Sequence, residues 1–144
     1  MAAFILTVHL LCGVSFFGIV IASFVYITKS IRQKDPVLLR YAMTTSLIGD
    51  CVIFPLVLIQ PLTATFLVYH NHFPLNTPWI MVAYLAFALV SMLWFLTALI
   101  KYVNYKNTGT FRYKKIFYML NVVIILFFCV IIHDAVMHQT GFIF

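Results

Sequence analysis

Four long apolar runs, separated by short polar breaks, leave this chain little choice of fold. A membrane-spanning helix needs about 20 consecutive apolar residues, and each run is at least that long. The runs lie at about 4–28, 37–68, 78–103 and 113–136. Little of the 144-residue chain remains for a soluble domain. Composition agrees: hydrophobic residues make up 65% and charged residues 8%, against roughly 45–50% and 25% in soluble domains. The expected fold is an all-α membrane protein, one domain over 1–144, with four helices in an up-down-up-down bundle. Short connections favour that topology by making sequential helices antiparallel neighbours.

Charge then orients the bundle. The nine Lys and Arg residues all fall at the first and third breaks. Lys29, Arg32, Lys34 and Arg40 mark the first, and Lys101, Lys106, Arg112, Lys114 and Lys115 the third. The N-terminus, the second break and the C-terminal tail have none. Cytoplasmic loops carry the Lys/Arg excess of membrane proteins, so both termini are expected outside. The five His residues collect toward that outer side. The formal net charge of +6 is absorbed by this topology signal. No aromatic residues interleave with the basic ones as a stacking platform requires, which argues against nucleic acid as a partner. The first run lacks a basic leader and a small-x-small cleavage site, so it reads as a retained helix. Cys12, Cys51 and Cys129 all sit in apolar runs, an odd set that does not make a disulfide framework.

Local signals set the element boundaries. Asp35-Pro36 opens the second helix, Asp as N-cap and Pro at the first helical position. Inside it, Pro55 and Pro61 each remove a backbone hydrogen bond, so this helix is expected to kink. Pro55 frees the carbonyl of Cys51, next to Asp50. Asn76 or Thr77 caps the third helix, and Trp79 suits an interfacial aromatic belt. Residues 107–110, Asn-Thr-Gly-Thr, read as the inner turn. Gly18 and Ala22, four apart in the first span, are expected to admit a neighbouring helix closely.

The chemistry-bearing residues are few. His9 and His133 fall at similar depth, roughly 6–9 Å below the outer surface at 1.5 Å rise per residue. They lie on the first and last helices, which an up-down bundle makes neighbours. Two histidines so placed suit axial ligation of haem b; hydrogen bonding to a neighbouring helix explains them equally. Cys12 lies three residues after His9 and Cys129 four before His133, each on its histidine's face. That set, or His70 and His72 in the outer loop, offers donors for copper or zinc. His138 in the tail has a similar claim. Asp50 is the acid deepest in a span. Burial disfavours its charged form, so it reads as a proton relay, a cation site or a structural hydrogen-bonding carboxyl. Asp134 is expected to face away from His133 and meet the interface. No phosphate-binding glycine loop, nucleophile–base arrangement or zinc-protease helix occurs, which leaves phosphoryl and acyl transfer without support.

His9 with Gly13, the string KDPVLLRYA, Asp50 followed by Pro55, PLNTPW, and Trp94 form an ordered set along the chain. With these features, roughly residues 5–105 resemble a family of short bacterial four-helix membrane proteins, predicted integral membrane proteins of a domain of unknown function. More distantly, the His-x3-Gly start is similar to that of membrane-embedded protoporphyrinogen oxidases and copper-resistance membrane proteins. The former likeness implies haem held through His9. The chain departs from the oxidases after that histidine, with VSFFGIV in place of Trp-Phe-x-Gly-Leu. It departs again at Asn121, where Val122 replaces the Glu of Asn-Glu-x-Pro.

The expected protein is thus a multi-pass protein of a bacterial inner membrane, surrounded by lipid, with both termini periplasmic. Three functions fit. One is binding of haem b through His9 and His133 in membrane redox chemistry, with a quinone or porphyrin as partner; an enzyme of this kind would be a haem-dependent oxidoreductase. Another is copper or zinc transport or resistance. The third is a non-catalytic subunit or assembly factor, as a homo-oligomer or within a larger membrane complex.

Overall fold

The computed structural model describes residues 1–106 and 111–140, with the side chains of 136 and 138–140 excepted. The proposed inner turn at 107–110 and the His138 side chain fall outside this set. The chain forms four helices: α1 (Ala2–Gln33), α2 (Pro36–His70), α3 (Pro78–Lys106) and α4 (Lys114–Thr140). All four are long and apolar enough to cross a membrane. The protein is an all-α membrane protein.

The connections are held by a few capping residues, of which Asp35 and Thr77 were announced by the sequence. Lys34 takes a left-handed backbone (φ 53°) as the C-cap of α1. Asp35 Oδ1 then accepts from the amides of Val37 (2.9 Å) and Leu38 (3.2 Å), two donors that α2 leaves open at its start. At the other end of α2, Asn71 donates through backbone and side chain to the Leu67 carbonyl (3.0 and 2.9 Å). The Thr77 carbonyl starts α3 by accepting from Ile80 (3.0 Å) and Met81 (3.1 Å). Between α3 and α4, the Asn104 side chain clamps the backbone of Arg112. It donates to the carbonyl (3.1 Å) and accepts from the amide (2.5 Å). The helix α2 runs continuously through both Pro55 and Pro61.

Packing pairs α1 with α2 and α3 with α4, and the two hairpins meet through α2–α3 and α1–α4. Their shared centre is aromatic. Phe16 meets Phe87, Trp94 and Phe128 edge-on, with centroids 6.2, 6.0 and 5.1 Å away. Val20, Ile53, Val90 and Ile124 fill the rest of that layer. A second cluster of Ile27, Leu39, Ala42, Met43 and Phe117 closes the end that carries the basic residues. The outside is apolar too: Val14, Leu62 and Leu85 are among many large side chains turned outward. An apolar exterior around buried Ser46, Asp50, Thr97, Lys101, Asn104 and Asn121 is the arrangement expected where lipid replaces water.

Close helix approach does not use Gly18 and Ala22. Both are exposed, and a Cβ added at Gly18 would meet nothing within 4 Å. The tight contact between α1 and α2 is at Gly49, where an added Cβ would lie 2.8 Å from Ile19 Cγ2. Without a solvent penalty on apolar surface, a small residue is as much at home facing lipid as facing a helix, and spacing alone cannot separate the two.

Candidate functional site: a cavity at the histidine end

Alanines leave space where the four helices converge at the end opposite the basic residues. Ala2, Ala64, Ala83 and Ala135, one from each helix, line a cavity of about 440 Å³. Its walls are mostly apolar, with Phe87, Ile80, Leu6 and Ile131 among them, and the polar side chains facing it are few. His9, Gln60, Asn71, Tyr84 and Asp134 supply them, and Trp79 stands at the start of α3.

His9 is held by α2. Its Nδ1 lies 2.9 Å from Thr63 Oγ1, and its Nε2 lies 3.4 Å from Gln60 Nε2. Gly13, one turn along α1, makes the second contact possible: a Cβ there would come within 3.3 Å of Gln60 Nε2. The His-x3-Gly spacing thus places a histidine beside the gap into which the Gln60 amide fits. Across the cavity, Tyr84 Oη and Thr65 Oγ1 join α3 to α2 at 2.7 Å.

The other candidates do not converge on His9. His133 is exposed on α4 and is not part of the cavity wall; its neighbour Asp134 is. The expectation that Asp134 faces the interface is therefore corrected: the rotation of α4 turns the acid to the cavity and His133 outward. Cys12 is buried, whereas Cys129 is exposed. His70 and His72 are exposed in and beside the α2–α3 loop; His70 stacks on Phe66 at 5.9 Å. Among the described residues, no three His, Cys, Asp or Glu side chains gather as a metal site would require.

Asp50 belongs to a different site, on the basic-end side of the aromatic layer. It is 7% exposed and forms an ion pair with Lys101, itself 3% exposed. Lys101 Nζ lies 2.6 Å from Oδ1 and 2.5 Å from Oδ2. Trp94 Nε1 donates to Oδ1 (3.0 Å), and Lys101 donates to Ser46 Oγ (3.1 Å). Lys101 is therefore not a loop charge. Trp94 and Lys101, seven apart on α3, present one face to Ser46 and Asp50, four apart on α2. The position proposed for a bound cation beside Asp50 is taken by this ammonium. The remaining Lys and Arg residues are all exposed at the basic end.

Sequence reasoning picked out His9, Gly13 and Asp50 but not the partners that give them meaning. Thr63, Thr65 and Tyr84 look like ordinary span residues, and Gln60 carries no signal beyond standing before Pro61. The signal for Lys101 was present: it lies inside the third apolar run, with Tyr102 and Val103 after it.

The chain belongs to the family described as "Predicted integral membrane protein (DUF2269)", whose model matches residues 3–138. No curated protein and no solved structure matches it.

Proposed function

We propose that this protein binds a lipid-soluble ring compound of the quinone or porphyrin type in the cavity at its histidine end, with His9 as the principal polar contact. The observation that carries this reading is the cavity itself. At about 440 Å³ it falls within the range of small-molecule sites, and it joins apolar walls to a few polar groups, as such sites do. A non-catalytic packing subunit needs neither feature.

Haem b is a second reading, favoured by one contact. Ligating histidines commonly anchor the other ring nitrogen on an oxygen, as Thr63 Oγ1 anchors His9 Nδ1. His9 would then serve as the axial ligand from this chain, His133 being turned outward. Copper or zinc handling has less behind it, because Cys12, Cys129, His70 and His72 are dispersed. The exposed basic end lies opposite the cavity, so under the positive-inside rule the cavity opens toward the periplasmic side of a bacterial inner membrane. Reporter fusions after Phe144 and beside Lys106 test that orientation; equal reporter activity at both sites defeats it.

Purification from bacterial membranes in mild detergent tests the binding reading. Organic extraction followed by mass spectrometry is expected to recover a quinone-type or porphyrin compound with the wild-type protein. An Ala83→Trp variant, which fills the cavity, is expected to lose it. A Soret band abolished by His9→Ala would select haem. Equal ligand content in wild type and Ala83→Trp would overturn the reading.

A further inference from the structure

Hydrogen-bond directions around the cavity specify what its ligand must offer. Thr63 Oγ1 has one hydrogen, and it lies 2.9 Å from the Gln60 carbonyl and 3.0 Å from that of Ile59. Carbonyls only accept, so the hydroxyl hydrogen is spent on the backbone and Thr63 must accept from His9 Nδ1–H. The proton of the ring is thereby assigned to Nδ1. Nε2 then carries the lone pair, the imidazolium being costly in this membrane-embedded setting. The same logic orients Gln60: its amide nitrogen, not its oxygen, faces His9 Nε2 across 3.4 Å. That distance is long for a hydrogen bond. Gln60 Oε1 is buried and makes no hydrogen bond.

The opposite wall repeats the pattern. Thr65 Oγ1 donates to the Pro61 carbonyl at 2.7 Å, so at the 2.7 Å contact with Tyr84 the phenol donates and Thr65 accepts. Asn71 spends an amide hydrogen on the Leu67 carbonyl. His9, Thr65 and Tyr84 thus spend their donors on α2, and Gln60 Oε1 is left as an acceptor.

We infer that the cavity recognises a hydrogen-bond-donating headgroup on an apolar body, of the phenol or hydroquinone class, with Gln60 Oε1 as the open accepting atom and His9 Nε2 as a second once its long contact to the Gln60 amide yields. This rests on the cavity reading above and sharpens it. A hydroquinone donates through its hydroxyls, whereas the corresponding quinone only accepts, so the reduced form is the one held.

A redox-inert probe pair isolates the donor. Full-length protein in detergent micelles is titrated calorimetrically with 4-nonylphenol and with 4-nonylanisole, which differ by the hydroxyl hydrogen and one methyl. Ala83→Trp protein sets the baseline for partition into micelles. The phenol is expected to bind about tenfold more tightly, the worth of one well-made hydrogen bond. Gln60→Leu and His9→Leu are each expected to erase that preference while anisole binding persists. Helical circular dichroism and a single elution peak show that the variants fold. The wild-type probe comparison stands even if they do not. Equal binding of the two probes, or tighter anisole binding, overturns the donor inference and leaves the cavity reading intact. Binding of neither above the Ala83→Trp baseline overturns both.

Discussion

The two ends of the bundle solve the problem of polar groups in a membrane in opposite ways. At the basic end, Asp50, Lys101, Ser46 and Trp94 satisfy one another across α2 and α3. At the histidine end, His9 reaches Thr63 and Gln60 of α2, Tyr84 reaches Thr65, and His9, Gln60 and Tyr84 border open space. Between them lies the layer of Phe16, Phe87, Trp94 and Phe128. Asp50 and Lys101 form a closed pair, because an unpaired charge in low dielectric is severely penalised. Neutral polar groups cost less to leave partly unmet, and His9, Gln60 and Tyr84 are the ones that border the cavity. The difference teaches that the most conspicuous polar residue of the sequence, Asp50, does the work of holding two helices, while the less conspicuous His9 borders the space.

Breaking the pair gives the largest expected effect. Asp50→Asn leaves the Lys101 ammonium buried without a counter-charge, and Lys101→Met leaves the carboxylate so. Each is expected to destabilise the protein by about 3–5 kcal/mol, measured by unfolding in mixed micelles, and the double variant to recover most of the loss. If Asp50→Asn folds as well as wild type, the closed-pair description of this end fails, and the carboxylate becomes a candidate working group again.

Helix approach gives a middle-sized effect. Gly49→Leu forces side-chain atoms against Ile19 on α1 and is expected to cost about 1–3 kcal/mol. Gly18→Leu, facing outward, is expected to stay within about 0.5 kcal/mol. A reversal of that order in the same unfolding assay would return the helix contact to the Gly18 face. The smallest effect sharpens the histidine end. Gly13→Ala puts a methyl 3.3 Å from Gln60 Nε2, so the amide must shift by a few tenths of an ångström. Stability is expected to fall by less than about 1 kcal/mol, while phenol affinity measured by calorimetry weakens several-fold. A larger stability loss with unchanged affinity would make Gly13 a packing residue only.

The four helices were legible because length and hydropathy alone determine a span, and their ends because Asp35, Pro36, Thr77 and Pro78 carry their signals in adjacent residues. The deep positions of His9 and Asp50 were legible for the same reason: a polar residue inside an apolar run declares itself. Lys101 was misread as a boundary charge since a long lysine near a helix end ordinarily snorkels toward the interface. Only the presence of Asp50 opposite it draws the ammonium inward. His133 and Asp134 were assigned the wrong way round as to which one faces the interior. Adjacent residues on a helix differ by about 100°, and an all-round apolar helix offers no pattern to set its rotation.

By itself, then, the sequence determined the class of protein, the number of spans and the distribution of charge between the two ends, all properties that accumulate along a single strand of chain. The tertiary structure decided which face of each helix looks inward, that Lys101 finds Asp50, that Thr63 and Gln60 position His9, and that alanines from four helices leave a cavity. In water a hydrophobic stripe would have announced those faces. Lipid is as apolar as the bundle core, so burial in either environment is nearly equivalent for Leu, Phe or Val, and the facing of each helix is settled by packing and by the few polar contacts between helices.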